Sequence, residues 1–205
     1  MEPTGRGTPS GRSRWAAVGW DYVLILGWLA VLAVVAGAAR GAGLLTDGAA
    51  VPAPVLVTDL LVFSVTVLPV WAYFTLREAG SRHAGPGKLR TGLRVVVERR
   101  RGHDEQQADV EVGPGLARAA VRNAVKWLPW QLAHVAVARA ILGTDGRVVM
   151  AVTYGLSLLL PLVSVVMAWR DPWQRALHDR IAGTRVVRRA SASASFREHR
   201  AALDA

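Results

Sequence analysis

From Trp15 to Ala39 the chain runs for 25 residues, WAAVGWDYVLILGWLAVLAVVAGAA, with one charged side chain, Asp21. At about 1.5 Å per helical residue this is long enough to cross a hydrocarbon core of about 30 Å with some tilt. A carboxylate inside such a helix is costly, about 2.5–3.5 kcal/mol at the bilayer centre on insertion scales and less nearer an end. Asp21 therefore calls for compensation from elsewhere in the chain.

Of the 205 residues 52% are hydrophobic, and the net charge is +10. The apolar residues fall in long runs and the basic ones lie between the runs, a pattern that suits a multi-pass membrane protein better than a nucleic-acid binder. The basic loops lack interleaved aromatics, so attraction to anionic lipid head groups explains the charge with fewer assumptions. The absence of cysteine excludes disulfides, thiolate chemistry and cysteine-ligated metals. Ala36-Gly37-Ala38 looks like a signal-peptidase site, but the apolar run far exceeds a secretory core of about 7–15 residues, so a retained span is expected. Ala, Gly, Arg and Val dominate, which points to a high-GC bacterium and hence to the inner membrane.

In chain order, residues 1–13 are rich in Gly, Pro, Ser, Thr and Arg and are expected to be disordered. The first span, 15–39, is followed by a short Gly/Pro-rich loop and a second span over 55–76, which carries Asp59 and Pro69. A long polar stretch comes next. In it Leu93–Glu98 and Ala108–Val112 have strand composition on either side of a charged turn, which predicts a small hairpin. Residues 117–142 form the ambiguous segment, with Arg118, Arg122 and Lys126 at four-residue spacing on one helical face. It can be an amphipathic helix on the membrane that turns inward at Pro129, or one long span whose cations snorkel. The last span, 148–169, is uncharged and holds Pro161. The tail, 189–205, is expected to be mostly disordered.

Four spans place 22 of the 25 Lys and Arg on one side, leaving Arg40, Arg139 and Arg147 on the other. By the positive-inside rule both termini and the large loop are expected in the cytoplasm, and seven of the eight Trp fall near the cytoplasmic ends. The expected fold class is thus an all-α membrane protein, a polytopic bundle of about four transmembrane helices with a small cytoplasmic β element.

Few residues can carry chemistry. Asp21 is read either as a structural ion-pair anchor or as an ion or proton site, with Arg180, Arg118 or Arg122 as candidate partners. Asp59 and His134 are further stations on an ion or proton path, against the plainer readings of a solvated helix end and a hydrogen-bonded buried histidine. Pro69, Pro129 and Pro161 each free a backbone carbonyl inside a helix, giving a kink or a gap lined by acceptors. Ala33, Gly37 and Gly41 form a small-residue ridge of the kind that lets helices or protomers pack closely, so a homo-oligomer is one open arrangement. No nucleophile–base pattern, phosphate loop or zinc motif is present, so neither an enzyme, a cofactor nor a metal is expected.

Three stretches together, R14-WAAVGW-D21, GKLRTGLRVV (87–96) and LHDRIAGTRVV (177–187), resemble the RDD family of bacterial membrane proteins. The resemblance covers about 14–188, and LHDRIAGTRVV is its most specific part. The arginine and two aspartates that name the family would be Arg14, Asp21 and Asp179, with Arg180 in the same charged cluster. GKLRTGLRVV departs from the family's usual loop block in its middle. Transport, including sodium/proton antiport, has been proposed for some members of that family; the function expected here is transport of a small ion or solute, cation/proton exchange above all, with Asp21 as its carboxylate, and the alternative is a non-transporting scaffold that binds a protein or anionic lipid through its basic cytoplasmic face. The resemblance also predicts that LRVV and TRVV pair beneath the bundle, with Arg14 bridging to Asp179 and Asp21 to Arg180 or Arg118.

Overall fold

In the computed structural model, residues 9–44, 55–98, 112–142 and 147–189 are described. Helix α1 is Gly11–Gly41, 31 residues long. It starts earlier than expected because Ser10 caps it, its hydroxyl accepting from the Ser13 N–H at 3.4 Å. Residues 11–13 are therefore helical; residues 1–8 of the expected disordered terminus lie outside the described residues. Only Ala17, Asp21 and Ile25 of α1 are buried, one inward stripe at four-residue spacing. Leu24, Trp28 and Leu29 flank that stripe and are partly buried against the core, while most of the remaining apolar surface is exposed, as on a helix facing lipid.

The second span is built in three pieces, α2 (Val55–Val62), a π-helical turn (Phe63–Val67) and α3 (Leu68–Ala79). Pro69 explains the interruption. It has no N–H for the Val65 carbonyl four residues back, and an unbonded carbonyl in hydrocarbon is expensive. Trp28 of α1 supplies the missing donor, its Nε1 reaching the Val65 carbonyl at 3.2 Å. Thr66 Oγ1 adds a bond to the Val62 carbonyl at 2.6 Å.

The polar stretch holds α4 (Pro86–Arg90) and β1 (Leu93–Val97). Then come α5 (Gly115–Leu142), α6 (Arg147–Arg170), α7 (Leu177–Ala182) and β2 (Thr184–Arg188). By length and apolarity α1, Leu56–Ala79 and α6 qualify as membrane spans. The ambiguous segment is one helix of 28 residues that continues through Pro129, so the reading of a surface helix that turns inward gives way. Its height follows from two ion pairs. Arg122 meets Glu78 near one end, and Arg139 meets Asp59 near the other. At about 1.5 Å per residue, positions 122 to 139 and 59 to 78 cover about 26 and 29 Å, so α5 runs antiparallel to the second span along the full bundle. Four long helices result.

The sheet is two-stranded and antiparallel, with Leu93 opposite Arg188, Val95 opposite Val186 and Val97 opposite Thr184. This is the pairing expected of LRVV and TRVV. Gly183, at φ 62°, closes α7 in the left-handed conformation and turns the chain into β2. On the free edge of β1 the Val97 N–H donates to the Val112 carbonyl at 2.9 Å. Otherwise the expected partner strand 108–112 and its turn lie outside the described residues, as does the tail from 190.

Candidate functional site

A buried carboxylate in the last turn of a helix sits where the helix dipole disfavours it, so it needs cations. Glu78 is such a residue, in the last turn of α3 and fully buried. Lys88 Nζ donates to its Oε1 at 2.8 Å, and Arg122 Nη1 lies 2.8 and 2.7 Å from its two oxygens. Asn123 Nδ2 adds a bond at 3.1 Å. Arg122 then turns its Nε to Asp179 Oδ1 at 2.9 Å, joining the loop, the second span, α5 and the tail in one lattice. The expectation that the α5 cations snorkel holds for none of the lattice: Arg122 is 1% exposed.

Asp21 adjoins this lattice and is 2% exposed. Its Oδ1 accepts from the Gly87 N–H at 3.0 Å and its Oδ2 from Lys126 Nζ at 3.3 Å. Gly87 is required here. A Cβ on it would lie 2.0 Å from the Ala17 carbonyl oxygen, so only glycine lets the loop backbone reach Asp21. The expected partners of Asp21 thus give way to Lys126 and a backbone amide, because the fold brings Arg122 to Glu78 and leaves Arg118 exposed.

Arg14 does not bridge to Asp179, which Arg122 already holds. Its guanidinium donates to the backbone carbonyls of Gln174, Trp173 and Val186, clamping the start of α1 to the tail and β2. Arg180 also turns away from Asp21. It reaches Asp171 at 3.2 Å, where Arg175 makes a closer two-point contact and continues to Glu98. The Arg175 hydrogen bonds hold the Asp171 carboxyl at about 2. Burial opposes ionisation of Asp179, but Arg122 outweighs it and keeps that carboxyl below its ordinary value. Burial likewise pushes His178 down, to about 3, so its ring is neutral.

Asp59 and His134 stand apart from this cluster. Asp59 pairs with Arg139 at 2.7 Å at the other end of the bundle. His134 Nδ1 is 2.8 Å from the Trp130 carbonyl, and its ring meets Trp130 edge-on. Between them and Asp21 lies an apolar layer of Ile25, Val67, Val70, Phe74 and Trp127. The three path residues are therefore not brought together.

Alongside that layer α1, α5, α6 and α7 enclose a cleft of about 910 Å³, which Ile25 and Trp127 of the layer also line. Its floor is charged, with Arg14, Asp21, Lys88, Arg122, Lys126 and Asp179, and its walls are mainly apolar, including Ile25, Trp127 and Leu158. Pro129 and Pro161 line it together with Val125 and Ser157, the residues four positions before them, whose carbonyls the prolines cannot bond. Glu78, Lys88 and Lys126 were not foreseen as site residues. The position of Glu78 in a final helical turn was the signal that could have found the first of them.

Neither a curated protein nor a solved structure matches the chain. A family model does, that of the RDD family, over residues 8–183. That span takes in α1, the loop helix and β1, the long helices and the HDRIAG turn, so the charged lattice and all the cleft-lining residues except Val186 lie inside the shared region, and β2 lies just beyond it. The protein is an integral membrane protein that belongs to the RDD family.

Proposed function

We propose that the protein exchanges a small cation for protons across the bacterial inner membrane, with the cleft as the site and Asp21 as the exchanging carboxylate. The observation that carries this reading is the Asp21–Lys126 pair, a buried carboxylate held by a partly exposed lysine on the floor of a cleft within the bundle. A cation that binds Asp21 must displace Lys126, so cation binding and the state of the lysine are coupled. The carbonyls of Val125 and Ser157, left without their helical donors, offer further oxygen ligands above the carboxylate. The charge distribution supports placing both termini and the lattice in the cytoplasm.

A second reading has its own support. The apolar layer separates Asp21 from His134 and Asp59, and the lattice welds the loop to the tail, as in a scaffold that presents a basic cytoplasmic face to a protein or anionic lipid. Sodium- and potassium-dependent proton flux in everted membrane vesicles decides between them. Transport predicts flux in the wild type and its loss in Asp21→Asn at matched protein levels. Absence of cation-dependent flux in both would move the assignment to the scaffold.

A further inference from the structure

We propose that the floor of the cleft binds the headgroup of an anionic phospholipid, with Lys126 and Arg14 as its cations. The first argument is charge. Four cations line the floor, Arg14, Lys88, Arg122 and Lys126, against Asp21, Asp179 and the underlying Glu78. Among the described residues this leaves one positive charge over, which matches one phosphodiester.

The surplus can be located. Lys88 and Arg122 are committed to Glu78 and Asp179 at 2.7–2.9 Å and their side chains are 8% and 2% exposed. Lys126 is held more loosely, 3.3 Å from Asp21, and is 17% exposed. Arg14 is bonded to neutral carbonyls, and its Nε has no acceptor among the described residues. The indole N–H of Trp127, a cleft-lining side chain 6% exposed, has none either. Buried donors without acceptors are costly, and each gains from an anionic oxygen brought within its reach.

The second argument is shape. The walls above the floor are apolar, and the rim residues Leu26 of α1 and Leu158 of α6 are 62% and 60% exposed, so the cleft is open towards the acyl chains of the bilayer. Its volume falls in the range of about 300–1,000 Å³ usual for ligand sites. A ligand with an anionic head and an apolar body fits both ends of the cleft; a free phosphate fits the floor alone. Headgroup binding stands whether or not the chain exchanges ions, since it is read without a gradient.

The test is native mass spectrometry of the full chain in detergent, titrated with an equimolar mixture of phosphatidylglycerol and phosphatidylcholine. Phosphatidylglycerol should be preferred in the first binding event, by about fivefold for each cation engaged. Lys126→Gln should lower that preference, Lys126→Arg should retain it, and Asp21→Asn, which removes a competing anion, should raise it. Equal retention of the two lipids by the wild type would overturn the proposal. So would a preference that Lys126→Gln leaves intact and added ammonium acetate abolishes, since that behaviour belongs to the exposed basic surface. A preference unchanged or weakened by Asp21→Asn counts against it as well, and that variant answers the question even if Lys126→Gln fails to fold.

Discussion

The two ends of the bundle use the same chemistry, a carboxylate against a cation, with different depth. At the charged end Glu78 is fully buried and draws on Lys88, Arg122 and Asn123, while Arg122 also serves Asp179. At the opposite end Asp59 meets Arg139 with 15% and 20% of the side chains exposed. Burial raises the stakes of each contact. A shared, buried lattice penalises the loss of any member more than a separate, partly exposed pair does.

The largest expected effect is at the hub. Glu78→Gln leaves Arg122 and Lys88 buried with too little negative charge, and should cost about 3–5 kcal/mol in unfolding of the detergent-solubilised protein. A cost no greater than that of Asp59→Asn would erase the distinction between the two ends. Gly87→Ala comes next. The added Cβ meets the Ala17 carbonyl at 2.0 Å, so the loop must retreat from α1 and from Asp21, at about 1–3 kcal/mol. The same thermal unfolding measures it.

The charged end should also carry a pH dependence. His178 stays neutral in the folded protein down to about pH 3, but takes a proton near 6.5 in the unfolded chain. Between those values the unfolded state binds more protons, so stability falls as pH drops from about 6.5. His178→Gln should flatten that fall between about pH 6.5 and 5, before the carboxylates titrate, in a series of unfolding midpoints. The smallest effect is expected from Asp59→Asn, under about 1 kcal/mol, because water can replace Arg139 there.

What could be read from residues was whatever has a local signature. Long apolar runs announced α1, the second span and α6, and the like patterns LRVV and TRVV announced the sheet. Neither period nor propensity encodes which cation meets which carboxylate. Asp21 needed a partner, but that the partner would be Lys126 depends on how α5 lies against α1. The three α5 cations share a face, yet Arg118 is exposed and Arg122 is buried, because Glu78 at the end of α3 and Asp179 of α7 both hold Arg122. Arg14 was expected to seek a carboxylate and instead holds three carbonyls, those of Trp173 and Gln174 just after α6 and that of Val186 in β2. Pro69 was legible as a freed carbonyl, while its cure by Trp28 belongs to the packing of two helices.

The sheet sets an order of assembly. From Val97 to Thr184, partners in the ladder, the chain advances 87 positions and passes through two of the four long helices. During synthesis β1 therefore emerges long before β2 exists, and Arg122 is made well before Asp179. The helices must enter the bilayer with the base still open. The base can therefore close only after α5 and α6 have both been made, and only if the chain between the strands crosses the membrane an even number of times, since an odd number would leave β1 and β2 on opposite sides.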